Sequence, residues 1–387
     1  MSTPRRLRLG MVGGGQGAFI GAVHRIAARL DDHYELVAGA LSSDAARAEA
    51  SGAELRIAPD RRYATYQEMA KAEAARDDGI DVVSIVTPNN LHLDPVRVFL
   101  DAGIHVICDK PLTTSLDLAM DMVEMVKKSG LVFCLTHNYT GFPMARQARA
   151  MIAAGELGEI RLIQTEYPQQ WLPIKLNDPT RERPIWRMDP AQSGVGGCIA
   201  DIGTHTYNLA AFMSGLELDS VCADLSTFTE GGQLDDNVHI MLRYTNGARG
   251  MMWTSQIAPG SENGLRVRIY GDKGGLEFGQ EKPNELWYTP LGEPKRLLTR
   301  NGFGTGPEAA RVSRVPSGHP EGYLEGFTTI YSDCAEAIHA AIEGRAADPA
   351  ALVFPTVEDG ARGLKFVEAA IESSAKGSVW IDAKLAL

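Results

Sequence analysis

The sequence predicts a two-part chain: an α/β unit with a doubly wound parallel sheet, then an α+β unit with a large, open, mostly antiparallel sheet. Three observations predict it. Apolar runs and amphipathic segments alternate through the first third. A glycine cluster follows the first apolar run. Beyond residue 138 the texture changes to closely spaced strand-like runs with few helices. The expected division is therefore 1–138 and 139–387.

The elements follow in order. LRLGMV (7–12) is a short apolar strand, and GAVHRIAARL (21–30) has helical spacing. YELVAGAL (34–41) is a second strand, and 66–75 a helix. IDVVSIV (80–86) is almost wholly apolar, as a parallel strand covered on both faces requires. DPVRVFLDAG (94–103) is a helix closed by Gly103, and IHVIC (104–108) is a strand. LDLAMDMVEMVKKSG (116–130) is amphipathic and ends in Lys-Lys-Ser-Gly, which suits a helix C-terminus. LVFCLT (131–136) is another strand. After it come a helix (143–154) and the run IRLIQTEYPQQ. Six strand-like runs then appear: VCADLSTF, NVHIMLRY, ARGMMWTSQI, LRVRIYG, GLEFG and ELWY. TNG (245–247) and DKGG (272–275) are hairpin signals. Residues 290–320, rich in Gly, Pro and Arg, read as a long loop, and helices near 322–344 and 356–374 close the chain.

Composition narrows the function. The 387 residues are 44% hydrophobic and 22% charged, enough for two real cores. Net charge is -11 and no long basic block occurs, which argues against nucleic acid as a partner. The five cysteines are scattered without a CxxC pair, which reads as reduced thiols. No apolar segment follows the first arginines and no 18-residue apolar run occurs. The expectation is a cytoplasmic protein that binds no membrane.

GMVGGGQGAFIGAVH (10–24) carries the first chemistry. Glycines after a strand let the backbone approach a pyrophosphate, whose charge rests on the next helix N-terminus. This makes the first part a Rossmann dinucleotide-binding domain, with Gly13, Gly15, Gln16 and Gly21 at the cofactor. The spacing is irregular: either Ala18 replaces the third glycine of G-x-G-x-x-G, or the loop is longer and Gly21 takes that place. We favour Gly21. The second strand ends in ALSSDAAR (40–47). Neutral Ser42 and Ser43 tolerate a 2′-phosphate and Arg47 can pair with it, a lean toward NADP within an NAD(P) assignment. Asp44 either contacts the ribose or caps the next helix.

Three further motifs complete a pattern: VTPNNLH (86–92), CDKPL (108–112) and GGCIADIGTHTYNL (196–209). In this order, across essentially the whole chain, they resemble the glucose–fructose oxidoreductase / inositol dehydrogenase family, Gfo/Idh/MocA. The family pattern is a glycine loop, (T/S)-P-N-x-x-H, E-K-P and G-G-x-x-x-D-x-G-x-H. Three departures are visible. E-K-P is D-K-P here, the glycine loop is longer, and WLPIKLNDPTRERPIWRMDP (171–190) reads as an enlarged loop over the substrate.

The chemistry follows from residue types and from this resemblance. Oxidising a secondary alcohol needs a hydride acceptor, which is the cofactor, and a base for the hydroxyl proton. His205 is the candidate base, since its ordinary pKa lies near working pH; the resemblance implies the same role. Asp201, four residues earlier, shares a helical face with it. It orients the substrate or His205, and can also cap the helix starting near Gly203. An ammonium at Lys110 can stabilise alkoxide character, and Pro111 restricts its backbone. The resemblance sets Lys110 beside the nicotinamide. Thr87, Pro88, Asn89, His92 and Asp109 are assigned to the cofactor, although Asn89 also reads as a turn residue and His92 as a helix start. Asn138 and Tyr139 are expected to face the substrate, and Trp186 and Arg187 to stack on and hydrogen-bond a sugar. No metal is expected, for want of HxH or HExxH spacing.

The expected activity is hydride transfer between NAD(P) and a secondary alcohol or ketone of a sugar, sugar derivative or cyclitol. The alternatives are a glycoside-cleaving relative using transient ring oxidation, and a non-catalytic NAD(P)-binding regulator. An open sheet needs its exposed face covered, and the resemblance implies a homodimer or homotetramer paired through it.

Overall fold

The computed structural model describes residues 5–180 and 185–387. Two units divide the chain. One takes it up to Thr113, then Asp117–Gly141 and Tyr323–Ala361; the other takes Thr114–Leu116, Phe142–Gly322 and Arg362–Leu387.

Along the first stretch strands and helices alternate: β1 (Leu7–Gly13), α1 (Phe19–Leu30), β2 (Tyr34–Ala40), α2 (Ala45–Glu54), α3 (Tyr66–Ala74), β3 (Val82–Val86), α4 (Leu93–Asp101), β4 (His105–Cys108), α5 (Leu116–Ser129) and β5 (Phe133–Leu135). The strands form one parallel sheet in the order β2-β1-β3-β4-β5. Every residue of β3 and β4 is buried, which explains their continuous apolar character. The strand order reverses between β1 and β3, where open parallel sheets present a crevice beyond the carboxyl ends. Register sets Gly13 beside Val86, Ile85 beside Cys108, and Cys108 beside Leu135. The segments after these residues therefore emerge along one edge. α2 has no counterpart among the expected elements. Its AARAEASGAE buries only small residues, so no apolar stripe announces it.

The second unit begins with α6 (Pro143–Ala153), β6 (Ile160–Pro168), α7 (Trp171–Leu176), α8 (Pro190–Ser193) and α9 (Thr204–Ser214). β7 (Leu218–Ser226), β8 (Asn237–Tyr244), β9 (Arg249–Ser255), β10 (Arg266–Gly271), β11 (Gly274–Gly279), β12 (Glu285–Pro290), β13 (Arg296–Thr299), α10 (Pro307–Ala310) and β14 (Ile381–Asp382) come after them. Among the described residues its sheet has nine strands, ordered β13-β12-β11-β10-β6-β9-β8-β7-β14. β6 and β9 run parallel; the other neighbours are antiparallel. Strand alternation separates the faces. Val238, Ile240, Leu242 and Tyr244 of β8 point inward; elsewhere on the sheet α9 packs against β6 and β10, and α6 against β11 and β12. Leu162, Met241, Met251 and Tyr270 are exposed on the other face, with Met241 opposite Met251.

The 290–320 stretch is not a plain loop. β13 pairs with β12 at the sheet edge, and buried Arg300 organises the irregular segment beyond it. Its guanidinium donates to the carbonyls of Val315 at 2.6 Å and Pro316 at 3.1 Å, and pairs with Glu321 at 2.9 Å. A guanidinium satisfying several carbonyls can hold an irregular segment in the way a strand ladder holds a regular one.

α11 (Tyr323–Glu343) belongs to the first unit. Phe327, Ile330, Tyr331, Cys334 and Ile338 recur at helical spacing. They share one core with Leu7, Leu9, Val82, Ile107 and Cys134 of the sheet and with Val23 and Ala27 of α1. Each large apolar side chain buried here contributes about 1.5–3 kcal/mol. A division of the chain at one residue has no place for a helix that returns from so far along the sequence. α12 (Val357–Ala375) contributes to both units. Among the described residues no helix is long and apolar enough to cross a membrane.

Candidate active site

In the first unit, the glycine loop turns between β1 and α1. Gly13, Gly14 and Gly17 have φ of +78°, +71° and +82°, the left-handed region that favours glycine. α1 starts at Phe19 with Ala18 as its N-cap, so Gly21 lies in the first turn. A Cβ on Gly21 would stand 2.4 Å from Gly14 Cα. Gly21 therefore has the close-packing role of a third glycine, and Ala18 does not. A Cβ on Gly15 would meet the Leu41 carbonyl at 2.7 Å. Gln16 donates from its backbone to Ser51 Oγ at 3.0 Å and from its amide to Glu54 at 2.8 Å.

At the end of β2, Asp44 accepts from the Arg47 backbone N–H at 2.8 Å and is the N-cap of α2. Ser42 Oγ accepts from the Asp44 backbone at 3.1 Å, while Ser43 and Arg47 are exposed.

Beyond β3, the Thr87 hydroxyl donates to the Leu91 carbonyl at 2.9 Å, and Pro88 leads into a short turn holding buried Asn89. His92 is fully buried. Its Nδ1 lies 3.0 Å from the Pro111 carbonyl and 3.2 Å from that of Leu112, and its Nε2 lies 2.9 Å from the Thr87 carbonyl. The imidazole thus clamps the loop after β3 to the loop after β4. Both ring nitrogens face backbone carbonyls of these two loops, and the N–H of the ring donates to one of them.

Beyond β4, Asp109 Oδ1 accepts from the Lys110 backbone N–H and from the Thr136 hydroxyl, both at 2.9 Å. The Lys110–Pro111 peptide bond is cis. Burial pushes the Asp109 carboxyl up, but His24, Lys110 and His92 outweigh it and hold it below the usual carboxylate range. Beyond β5 stands His137, a residue in none of the sequence motifs. Burial and then the charge of Lys110 push its imidazole down to about 3, against an opposing pull from Asp109. It is a neutral ring beside an ammonium at working pH. Asn138 is buried, and its Nδ2 has no hydrogen-bond partner among the described residues. A buried donor of this kind at a strand-end crevice is a candidate ligand contact. The Tyr139 ring meets the Tyr323 ring edge-on at 6.4 Å.

In the second unit, GGCIADIG begins under a cap that no local motif marks. Asp235 accepts from the backbone of Gly197 at 2.7 Å and of Ile199 at 2.8 Å. A Cβ on Gly197 would lie 2.3 Å from the Asp235 carbonyl, which accounts for that glycine. Ile199–Gly203 is a π turn that runs into α9, in place of the plain helix start expected near Gly203. Such turns recur at functional sites because they re-aim side chains.

Asp201 Oδ2 accepts from Gln256 Nε2 at 2.9 Å and stands 3.5 Å from Arg187 Nε. The Arg187 guanidinium lies over the Trp186 ring at 4.5 Å. His205 is buried, and its ring meets Tyr167 edge-on at 6.5 Å. The structure thus brings Asp201, Arg187, Trp186 and Gln256 together. Residues 181–184 of the enlarged loop lie outside the described residues. Gln256 and Tyr167 follow or end the neighbouring strands β9 and β6. Their signal was the polar end of two runs, TSQI and TEYPQQ, but nothing in one sequence aligns those ends. Among the described residues no group of three or more His, Cys, Asp or Glu could hold a metal ion.

Comparison with known proteins supplies the family. Residues 7–137 match the oxidoreductase family with an NAD-binding Rossmann fold, and residues 145–277 match the GFO/IDH/MocA C-terminal domain. An oxidoreductase structure from Sinorhizobium meliloti is 55% identical with a TM-score of 0.89, covering 98% of this chain and 100% of that one. An inositol dehydrogenase homologue from Azotobacter vinelandii, complexed with NAD+, is 34% identical with a TM-score of 0.91, covering 98% and 97%. Levoglucosan dehydrogenase from Pseudarthrobacter phenanthrenivorans is 29% identical over 98% of each chain. The chain belongs to the Gfo/Idh/MocA family of oxidoreductases.

Proposed function

We propose that the chain transfers hydride between NAD(P) and a secondary alcohol or ketone of a sugar, sugar derivative or cyclitol. The observation that carries this reading is the carboxyl edge of the parallel sheet, where the glycine turn, Lys110 and Asn138, whose Nδ2 has no hydrogen-bond partner among the described residues, follow the ends of β1, β4 and β5. The relatives support the substrate class: the A. vinelandii protein has also been solved with NADH and myo-inositol.

The residues fit a dinucleotide. Gly13, Gly15, Gln16 and Gly21 form the turn for its pyrophosphate, and Thr87, Pro88, Asn89, Asp109 and Lys110 belong to its nicotinamide half. His92 serves that half indirectly, through its clamp. When bound, the nicotinamide supplies the hydride acceptor or donor. His205 takes or returns the hydroxyl proton. Lys110 donates a hydrogen bond to the reacting oxygen as alkoxide character develops. Asp201 orients the hydroxyl, held by Gln256 and Arg187. Asn138, Tyr139, Trp186 and Arg187 are the residues proposed to hold the polyol. Asp44 caps α2, which leaves neutral Ser42 and Ser43 and exposed Arg47 to receive a 2′-phosphate; NADP is the preferred cofactor. The exposed Leu162, Met241, Met251 and Tyr270 face supports pairing of copies through the open sheet.

The test is a panel of inositols, sugars and anhydrosugars offered with NAD+ or NADP+ while the reduced nicotinamide is followed. Accumulation with a panel member supports the reading. Aglycone release from a glycoside without such accumulation points to transient oxidation and cleavage. Dinucleotide binding with no turnover of any kind points to a regulator. Lys110→Met is expected to keep dinucleotide binding and lose turnover; activity surviving that change overturns the role of Lys110.

A further inference from the structure

We infer that His24 is a positioning residue for Lys110, acting through Asp109. The functional meaning rests on the proposed role of Lys110; the structural claim does not. His24 lies on α1, past the glycine turn, and is fully buried. Its Nδ1 is 2.7 Å from the Tyr331 hydroxyl and 3.1 Å from Ser84 Oγ, and those two hydroxyls are 2.9 Å apart. Its Nε2 has no hydrogen-bond partner among the described residues and faces Asp109 Oδ1 at 3.7 Å.

The proton's place follows from these neighbours. A bare lone pair on Nε2 would oppose the Asp109 carboxylate. The Tyr331 hydroxyl can donate to Nδ1, which leaves the ring proton on Nε2, aimed at Asp109. The same carboxylate oxygen accepts from the Lys110 backbone and the Thr136 hydroxyl. The sequence of contacts therefore runs Tyr331, His24, Asp109, Lys110. Asp109 is also acted on by His92, and its charge reaches His137, Tyr323 and Tyr331.

The arrangement also gives a physical sense to Asp109 where the family pattern has glutamate. One further carbon–carbon bond, about 1.5 Å, would carry the carboxylate into the 3.7 Å gap before His24. Aspartate and His24 are a matched pair.

The experiment uses the full chain as wild type, His24→Phe, His24→Asn, His24→Gln, Asp109→Asn and the double variant His24→Phe/Asp109→Asn. An amine-acylating ester labels Lys110, peptide mass spectrometry reads the rate, and exposed Lys376 is the internal standard. Far-ultraviolet circular dichroism and the melting temperature report that each variant folds. His24→Phe, His24→Asn and Asp109→Asn are expected to raise Lys110 labelling about three-fold or more, a coupling typical of contacting residues. His24→Gln, whose amide reaches the place of Nε2, stays near the wild-type rate. The double variant is no faster than the faster single one. Unchanged labelling in His24→Phe, multiplying effects in the double variant, or no rescue by His24→Gln each overturns the inference. If His24→Phe does not fold, His24→Asn carries the same expectation. Labelling reads Lys110 without turnover, so an active Lys110→Met enzyme would overturn the catalytic proposal and leave this result standing.

Discussion

Gln256 holds Asp201: its Nε2 donates to Oδ2 at 2.9 Å, and Arg187 Nε stands 3.5 Å from the same oxygen. A hydrogen bond to a charged group contributes about 1.5–3 kcal/mol. Gln256→Leu is therefore expected to lower turnover about 10- to 100-fold while dinucleotide affinity stays unchanged. Steady-state kinetics beside NADH fluorescence checks this. Equal turnover in variant and wild type would remove Gln256 from the site.

Gly21→Ala is expected to abolish dinucleotide binding and lower the melting temperature. The new Cβ would lie 2.4 Å from Gly14 Cα, a backbone atom that cannot step aside. Overpacking of this kind costs about 1–3 kcal/mol. Calorimetry with and without NADH reads both effects, and normal cofactor affinity in the variant would contradict the turn geometry.

His137 makes acid destabilising. Its pKa is about 3 in the fold and about 6.5 unfolded. Between those values the unfolded chain binds more protons, so stability is full above about 6.5 and is lost as pH falls through that window. Asp109, held below the usual carboxylate range, loses its contribution only below about pH 4. His105 and His339 are also pushed down by burial and act in wild type and variant alike. The melting temperature of His137→Gln is expected to fall less than that of wild type between pH 7 and about 5. Parallel curves would show that His137 is not held neutral.

Ser42→Asp is expected to move cofactor preference from NADP toward NAD, because a carboxylate repels the 2′-phosphate and accepts from the 2′-hydroxyl. The ratio of kcat/KM for the two cofactors measures it. An unchanged ratio would detach Ser42 from nucleotide choice.

Local signals in the sequence declare much of the fold. β3 and β4 are buried on both faces, so their apolar runs announce a parallel sheet. The glycine loop, VTPNNLH and CDKPL follow the ends of β1, β3 and β4, where open parallel sheets take ligands, so finding the strands locates Lys110 and Asn138. The features that escape depend on distance along the chain. His24 meets Tyr331, and Gln256 meets Asp201, across separations that no periodicity records. His92 is visible as a residue but not as a clamp, since its partners are carbonyls, which every residue possesses. The π turn at Ile199–Gly203 follows from backbone hydrogen bonding and the Asp235 cap, neither of which has a compositional signature.

The central claim is hydride transfer from a carbinol carbon, and isotope transfer tests it most directly. The wild-type protein is given NAD(P)+ and a panel substrate deuterated at the reacting carbon, and the reduced cofactor is examined by mass spectrometry. The account predicts deuterium in the nicotinamide of the product cofactor and none when His205 is replaced by Asn. Substrate consumed with no deuterium in the cofactor would contradict it.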